Sequence, residues 1–342
     1  MDVLYVTADA IGTATGGGRV THHESLALAS MGDTQIWQFP NQPRPWEPDR
    51  VACARLEAFP QYKPRIAHFY SGTFTKTIET LKARGTAISY TCAAHDIEVS
   101  RREHDRLGLR FDYPHLTDPE KWREYLRGYL IADVVVCPSP YSEQIMRGYG
   151  CQRVTVIPHG FDPPACVAKI PSRFVVGYLG QPGPDKGLPY LFRAWDAWSP
   201  SHPDALLVIA GRGTLDMLPW IREQRFRGSY YVRGEVAEPC DLYDACALYV
   251  QPSASEAFGC EIVEARAHGR PVICSDGAGA RDYAHQVVPA CNPAAIASAI
   301  DFWHGRWRAD PQALITYAAR SAIADLNWDR IRARYAEHFA SL

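Results

Sequence analysis

The sequence predicts an α/β protein made of two successive, doubly wound parallel sheets. Three observations carry this expectation. Short β-rich apolar runs alternate with longer helical patterns, the signature of parallel strands joined by crossover helices. The alternation breaks once, at PHGFDPPACVAKIPSR (residues 158–173), which holds four prolines and reads as an interdomain linker. It then restarts in the same form, and a chain of 342 residues is long enough for two cores.

In the first half, strands are predicted at Val3–Thr7, Ile66–Tyr70, Ala87–Thr91, Val134–Cys137 and 154–157, with helices near 18–31, 74–84, 119–131 and 141–149. In the second half, strands are predicted at 174–179, Leu206–Ala210, 230–232, Leu248–Gln251 and 271–274. Helices fit at 187–198, 214–224, 239–246 and 259–268, and helical periodicity dominates from about 292 to the end. The division is a first domain over 1–162, a second over 163–324 and a terminal helix over 325–342.

Composition narrows the class. Hydrophobic residues make up 46% and charged residues 22%, as in an ordinary globular protein, and the net charge of −2 gives no reason to expect nucleic acid as a partner. No apolar run approaches the roughly 20 residues of a spanning helix. The N-terminus opens at once on a strand pattern with no basic segment before it, so no signal peptide is expected. The ten cysteines are scattered without a CxxC pair, and Cys137 and Cys274 fall in core strands. They read as buried thiols of a protein in a reducing cytoplasm.

The most informative motif is Glu256-Ala-Phe-Gly-Cys-Glu-Ile-Val-Glu264. It follows a strand, so Glu256 is expected on a loop at that strand's carboxyl end, Phe258 and Gly259 in a turn, and Glu264 in the helix the turn opens. Ligands of open α/β sheets bind in that crevice, and a helix start offers unpaired N–H groups to a diphosphate. A carboxylate one turn into the helix can accept from both hydroxyls of a ribose. The same spacing also occurs on plain surface. A second candidate is the loop Gly180-Gln-Pro-Gly-Pro-Asp-Lys186-Gly187, where glycine permits close approach and Lys186 offers a mobile ammonium to a phosphate. Gly16-Gly17-Gly18, read as a turn between the first strand and first helix, is a third. His95 closes the strand ISYTCAAHD. The cluster Arg101, Arg102, His104, Arg106 and Arg110 follows it and reads either as a solvated basic loop or as a contact for phosphorylated or lipid acceptors.

Together these segments resemble family 4 of the retaining glycosyltransferases, the glycosyl transferases group 1. The resemblance runs nearly end to end, through GGGRVTHHESLALASMGD, IADVVVCPSPYSEQIMRGYG, VTVIPHGFD, YLGQPGPDKG, VIAGRGTL, PSASEAFGCEIVEARAHGRPVICSD and NWDRIRARYAEHF. It implies a GT-B fold, with two facing Rossmann-like domains, an interdomain cleft and a C-terminal helix crossing back to the acceptor-side first domain. It implies transfer of a sugar from a UDP- or GDP-sugar bound by the second domain.

By the resemblance, Glu264 holds the ribose, Glu256 the donor sugar and Lys186 the diphosphate, with Gly17 and Gly18 near the phosphates and His95 near the transferred sugar. Glu256 and His95 are then the catalytic candidates, in positioning and charge-stabilising roles. Gln181, Arg212, Phe258 and Gly259 complete the donor set. The family commonly has an arginine where this chain has Gln181, a charge that Arg19 or Arg212 would have to supply, and His159 replaces its usual asparagine. No Asp-x-Asp motif is present, so no metal and no cofactor beyond the nucleotide-sugar co-substrate are expected. The acceptor (saccharide, lipid-linked or small molecule) stays open, as does peripheral contact with a membrane. The alternatives are a sugar-nucleotide epimerase or glucan phosphorylase on the same fold, or a silent nucleotide-sugar-binding protein.

Overall fold

A computed structural model describes residues 2–12, 16–40, 47–92, 96–108, 118–162, 169–236, 239–319 and 323–342. The chain divides into two compact units, one of Met1–His95, Asp112–Gly160 and Asp325–Leu342, the other of Asp96–Phe111 and Phe161–Ala324.

The first unit holds a six-stranded sheet of β1 (Val3–Thr7), β2 (Thr34–Gln38), β3 (Ile66–Tyr70), β4 (Ala87–Thr91), β5 (Val134–Cys137) and β6 (Val154–Val156). The strands run parallel in the order β2-β1-β3-β4-β5-β6. All five residues of β1 and of β3 are buried, as in strands covered on both faces. Such strands write continuous apolar runs, because each fully buried large aliphatic or aromatic side chain is worth roughly 1.5–3 kcal/mol.

Two elements here escape the sequence pattern. Edge strand β2 buries only Trp37 and leaves Ile36 in solvent, so it shows no apolar run. The helix Glu47–Ala58 is masked by its charges, yet Asp49 is buried. Its carboxylate accepts from the backbone N–H of Lys76 (3.1 Å) and Thr77 (2.9 Å) at the start of the helix Thr75–Ala83.

The terminal helix Trp328–Ala340 is capped by Asn327, whose Oδ1 accepts from Arg330 N at 2.9 Å, and it packs on the helix Gly16–Ala29. Trp328 stacks on His23 at 4.1 Å. The same indole occupies the space over Gly160, where a Cβ would come within 2.6 Å of it. Gly160 and Trp328, far apart in sequence, therefore make one joint that returns the helix to the first unit.

The second sheet holds β7 (Val175–Leu179), β8 (Leu206–Ala210), β9 (Tyr230–Gly234), β10 (Leu248–Gln251), β11 (Val272–Ser275) and β12 (Gln286–Val288). All pairs are parallel, in the order β12-β11-β10-β7-β8-β9. Its core is dominated by the helix Leu188–Trp198, eight of whose eleven residues are buried, packed against the helix Pro293–Ala309. The predicted 214–224 helix is a 3-10 turn, Thr214–Met217, followed by the helix Leu218–Gln224. Residues 163–168 of the proline-rich run lie outside the described residues.

The helix Ile97–Leu107 belongs to this second unit, although it falls inside the 1–162 range expected for the first domain. Glu103 is almost fully buried and accepts from the Tyr190 hydroxyl, and Asp96 N donates to Ser255 Oγ at 2.8 Å. The expected basic loop is thus a helix with its charges answered. Arg101 pairs with Glu98 (3.0 Å), Arg102 and Arg106 reach Glu103 (3.4 and 4.0 Å), and His104 reaches Asp105 (3.5 Å). Arg110 lies outside the described residues. Among the described residues, no helix is long and apolar enough to cross a membrane. Cys137 and Cys274 are buried thiols in β5 and β11.

Candidate active site

Strand order fixes where to look. In the second unit the order reverses between β7 and β10, and ligands of open α/β sheets bind outside the carboxyl ends of the strands at such a switch. The loop after β7 carries Lys186 and the loop after β10 carries Glu256. Their side chains meet there, with Lys186 Nζ donating to Glu256 Oε2.

Backbone contacts hold the two loops side by side. Pro184–Lys186 forms a 3-10 turn, and the Asp185 carbonyl accepts from Ala254 N (2.6 Å) and Ser255 N (3.3 Å). Gly187 then turns away at φ +69°, where a Cβ would lie 1.9 Å from the Pro252 carbonyl oxygen. Only glycine fits that crossing. On the other side, Glu256 N donates to the Gly277 carbonyl (2.9 Å) and Gly279 N to the Glu256 carbonyl (3.0 Å). The Glu256 loop is therefore clamped between the loops after β7 and β11.

Gly259, at φ +96°, is the residue preceding the helix Cys260–Ala267. A Cβ there would press on Ile262 Cδ1 at 3.1 Å and Glu256 Cγ at 3.4 Å. Phe258 sits in the turn as expected, but its side chain is buried against Tyr283, and its carbonyl accepts from Ala280 N at 2.7 Å. It shapes the turn from within. Glu264 lies in the helix, and the Tyr243 hydroxyl donates to its Oε2 at 2.8 Å.

The electrostatics are lopsided. Burial works against the charge of Lys186, but Glu256, then Asp185 and Glu261, outweigh it and hold the ammonium well above the usual lysine range. Carboxylates outnumber this cation. Burial first, then repulsion from Glu256, pushes Glu261 up to about 7, with Lys186 pulling the other way. Glu261 was not among the candidates from sequence. Its signal was present, since it stands three residues before Glu264 and hence on the same helix face. Tyr243 carried no such signal, because its role depends on a contact 21 residues away.

Gln181 is exposed at the start of the Lys186 loop, and Arg212 is exposed just after β8. The two loops touch at the backbone: a Cβ on Gly211 would lie 2.3 Å from the Gly180 carbonyl oxygen. Arg212 and Gln181 therefore leave the sheet edge from neighbouring points.

In the first unit the order reverses between β1 and β3. Gly16, Gly17 and Gly18, expected as a turn, form the first turn of the helix Gly16–Ala29. First-turn N–H groups have no intrahelical partner, so glycine costs little there. A Cβ on Gly17 would come 3.1 Å from Asp9 Oδ2 and 3.5 Å from the Tyr70 hydroxyl, at the ends of β1 and β3. Arg19 follows in the same helix. His159 is buried, and burial lowers its pKa to about 4, so the imidazole is neutral. His95 lies outside the described residues.

Two parallel six-stranded sheets, with a glycine-rich loop at the switch point of the second and a glycine-started helix at that of the first, are the architecture of a GT-B protein. A family model described as Glycosyltransferase Family 4 matches residues 14–164, and one described as Glycosyl transferases group 1 matches residues 173–303. The chain belongs to the GT-B glycosyltransferases, and its first part is of the family 4 type.

The lipopolysaccharide core biosynthesis mannosyltransferase LpcC of Rhizobium leguminosarum bv. viciae is 31% identical over 152 residues, covering 39% of this chain and 42% of that protein. The stretches matched in curated relatives span between 40% and 60% of those proteins' own lengths. Among solved structures, sucrose-phosphate synthase from Thermosynechococcus elongatus has a TM-score of 0.75 at 17% identity over 100% of both chains. Anabaena HepE in complex with UDP and glucose has a TM-score of 0.74 at 18% identity, again over 100% of both chains. These two likenesses are likenesses of fold.

Proposed function

We propose that the chain transfers a hexose from a UDP- or GDP-sugar to a saccharide or lipid-linked acceptor, with retention and without a metal ion on the donor phosphates. The observation that carries this is the Lys186–Glu256 pair at the β7/β10 switch point, with Glu264 in the helix that starts beside it. Glu264, oriented by Tyr243, accepts from the ribose hydroxyls. Lys186 has three N–H donors, enough to keep Glu256 and reach a diphosphate oxygen. Its charge then stabilises the leaving nucleoside diphosphate as negative charge grows on it. The acceptor oxygen bonds to the anomeric carbon on the face from which the phosphate departs. The carbon–oxygen bond to phosphate breaks, and the acceptor proton passes to the leaving phosphate. Glu256 positions the sugar hydroxyls.

The mannosyltransferase relative and the UDP-bound structural neighbour support a hexosyl donor on a nucleoside diphosphate. A cytoplasmic setting follows from such a donor, and peripheral membrane contact would follow from a lipid-linked acceptor. The test is a calorimetric screen of UDP-, GDP- and ADP-sugars, followed by acceptor trials with the best donor and NMR of the product's anomeric configuration. An inverted product would overturn retention, and no binding of any nucleotide sugar would overturn the reading as a whole.

A further inference from the structure

We propose that His202, Asp301 and His304 form a binding site for a divalent transition metal of the zinc or nickel type, remote from the donor loops. One ligand atom from each residue lies within 4.8 Å of the others. The cluster sits at the amino ends of the strands, the edge opposite Lys186 and Glu256. There His202 and His304 line a cavity of about 880 Å³ with Phe174, Ala205 and Ser229, the residues just before β7, β8 and β9.

Two features make this more than a chance meeting of side chains. His202 Nδ1 lies 3.0 Å from the Trp198 carbonyl oxygen, to which it donates, which leaves Nε2 as the nitrogen that can face a metal. That Nε2 faces Asp301, 3.8 Å from Oδ1. A histidine held through one nitrogen by a backbone carbonyl is the usual arrangement behind a metal ligand. Asp301 is oriented by the same residue, because Trp198 Nε1 donates to its Oδ1 at 2.9 Å. Trp198 also stacks on the His202 ring at 4.0 Å, which fixes the ring's plane.

Asp301 and His304 stand three residues apart on the helix Pro293–Ala309, hence on one face. Ligand atoms around zinc at roughly 2.1 Å stand about 3.4 Å apart. Small rotamer changes of the exposed Asp301 and the half-buried His304 close the remaining gap. Two imidazoles and one carboxylate select zinc, nickel, cobalt or copper over magnesium and calcium. The metal would tie the turn at His202 to the Pro293–Ala309 helix, and it takes no part in sugar transfer.

The experiment uses the full chain, stripped with a chelator and dialysed, and titrates it with zinc chloride and nickel chloride by calorimetry. Saturable one-to-one binding is expected, with no heat from magnesium or calcium. His304→Ala and Asp301→Asn should each raise Kd by roughly tenfold or more, with melting temperatures confirming that both variants are folded. Asp301 is exposed, so its variant keeps the test valid even if His304→Ala fails to fold. No zinc binding by the parent protein overturns the site. Binding that persists at parental affinity in Asp301→Asn places the metal on other histidines and also overturns it.

Discussion

In the first unit Glu24 is fully buried and answered from every side. Tyr5 OH donates to it at 2.8 Å, Thr91 Oγ1 donates at 2.6 Å, and His68 Nε2 lies 3.4 Å away. His68 Nδ1 meets Ser89 Oγ at 2.9 Å, which in turn meets His338 Nε2 of the terminal helix at 3.1 Å. Burial alone would push the Glu24 pKa up, yet His68 and the three hydrogen bonds outweigh it and hold Glu24 below its ordinary value. In the second unit the cluster around Lys186 has the opposite character, with carboxylates in excess, side chains half-open to solvent, and Glu261 displaced towards neutrality. A sealed and satisfied network specifies packing. A half-open cluster with unbalanced charge has capacity left for a ligand.

The largest effect is expected from Glu24→Ala, which leaves His68, Tyr5 and Thr91 without their acceptor. Breaking a buried pair from one side costs about 3–5 kcal/mol, to be read from urea unfolding. A loss below about 1 kcal/mol would show that the first cluster is not structural.

Lys186→Ala tests the other side. Transfer should fall about 10²–10³-fold with little change in melting temperature, and parental turnover would remove Lys186 from the phosphate site. Glu264→Ala should weaken binding of the free nucleoside diphosphate by roughly 1–3 kcal/mol, because its proposed contact is to ribose. Unchanged calorimetric affinity in a folded variant would contradict that contact.

Glu261 makes the second cluster sensitive to pH. With its pKa raised to about 7, it is neutral below that pH and anionic above. Its contribution to stability is therefore lost as pH rises through about 7, and its charge then repels a diphosphate. Nucleoside diphosphate affinity should fall across that range, and Glu261→Gln should flatten the fall. The same slope in both proteins would assign it to the ligand's own phosphate. The smallest effect is expected from chelator, which should leave transfer intact below the melting temperature, in the parent and in His304→Ala alike. Loss restored by magnesium or manganese would put a metal on the donor.

The double sheet is legible in the amino-acid pattern alone. Strands β1, β3, β4, β5, β8 and β10 match their predicted ranges because strands buried on both faces must be continuously apolar. Edge strands β2 and β12 escaped for the converse reason, since each leaves residues in solvent and breaks the run. The sequence also placed Glu256 on its loop and Glu264 in its helix, since turn glycines and helix starts are local chemistry. It did not determine which unit the helix Ile97–Leu107 joins, because that rests on Glu103 meeting Tyr190, 87 residues on. Nor did it determine the Lys186–Glu256 pair, formed across 70 residues by strand order, or the raised pKa of Glu261, which burial, two neighbouring carboxylates and one ammonium set together. Periodicity and turn chemistry act between neighbours along the chain. Electrostatic energy depends on distance through space, and only the folded sheet fixes that.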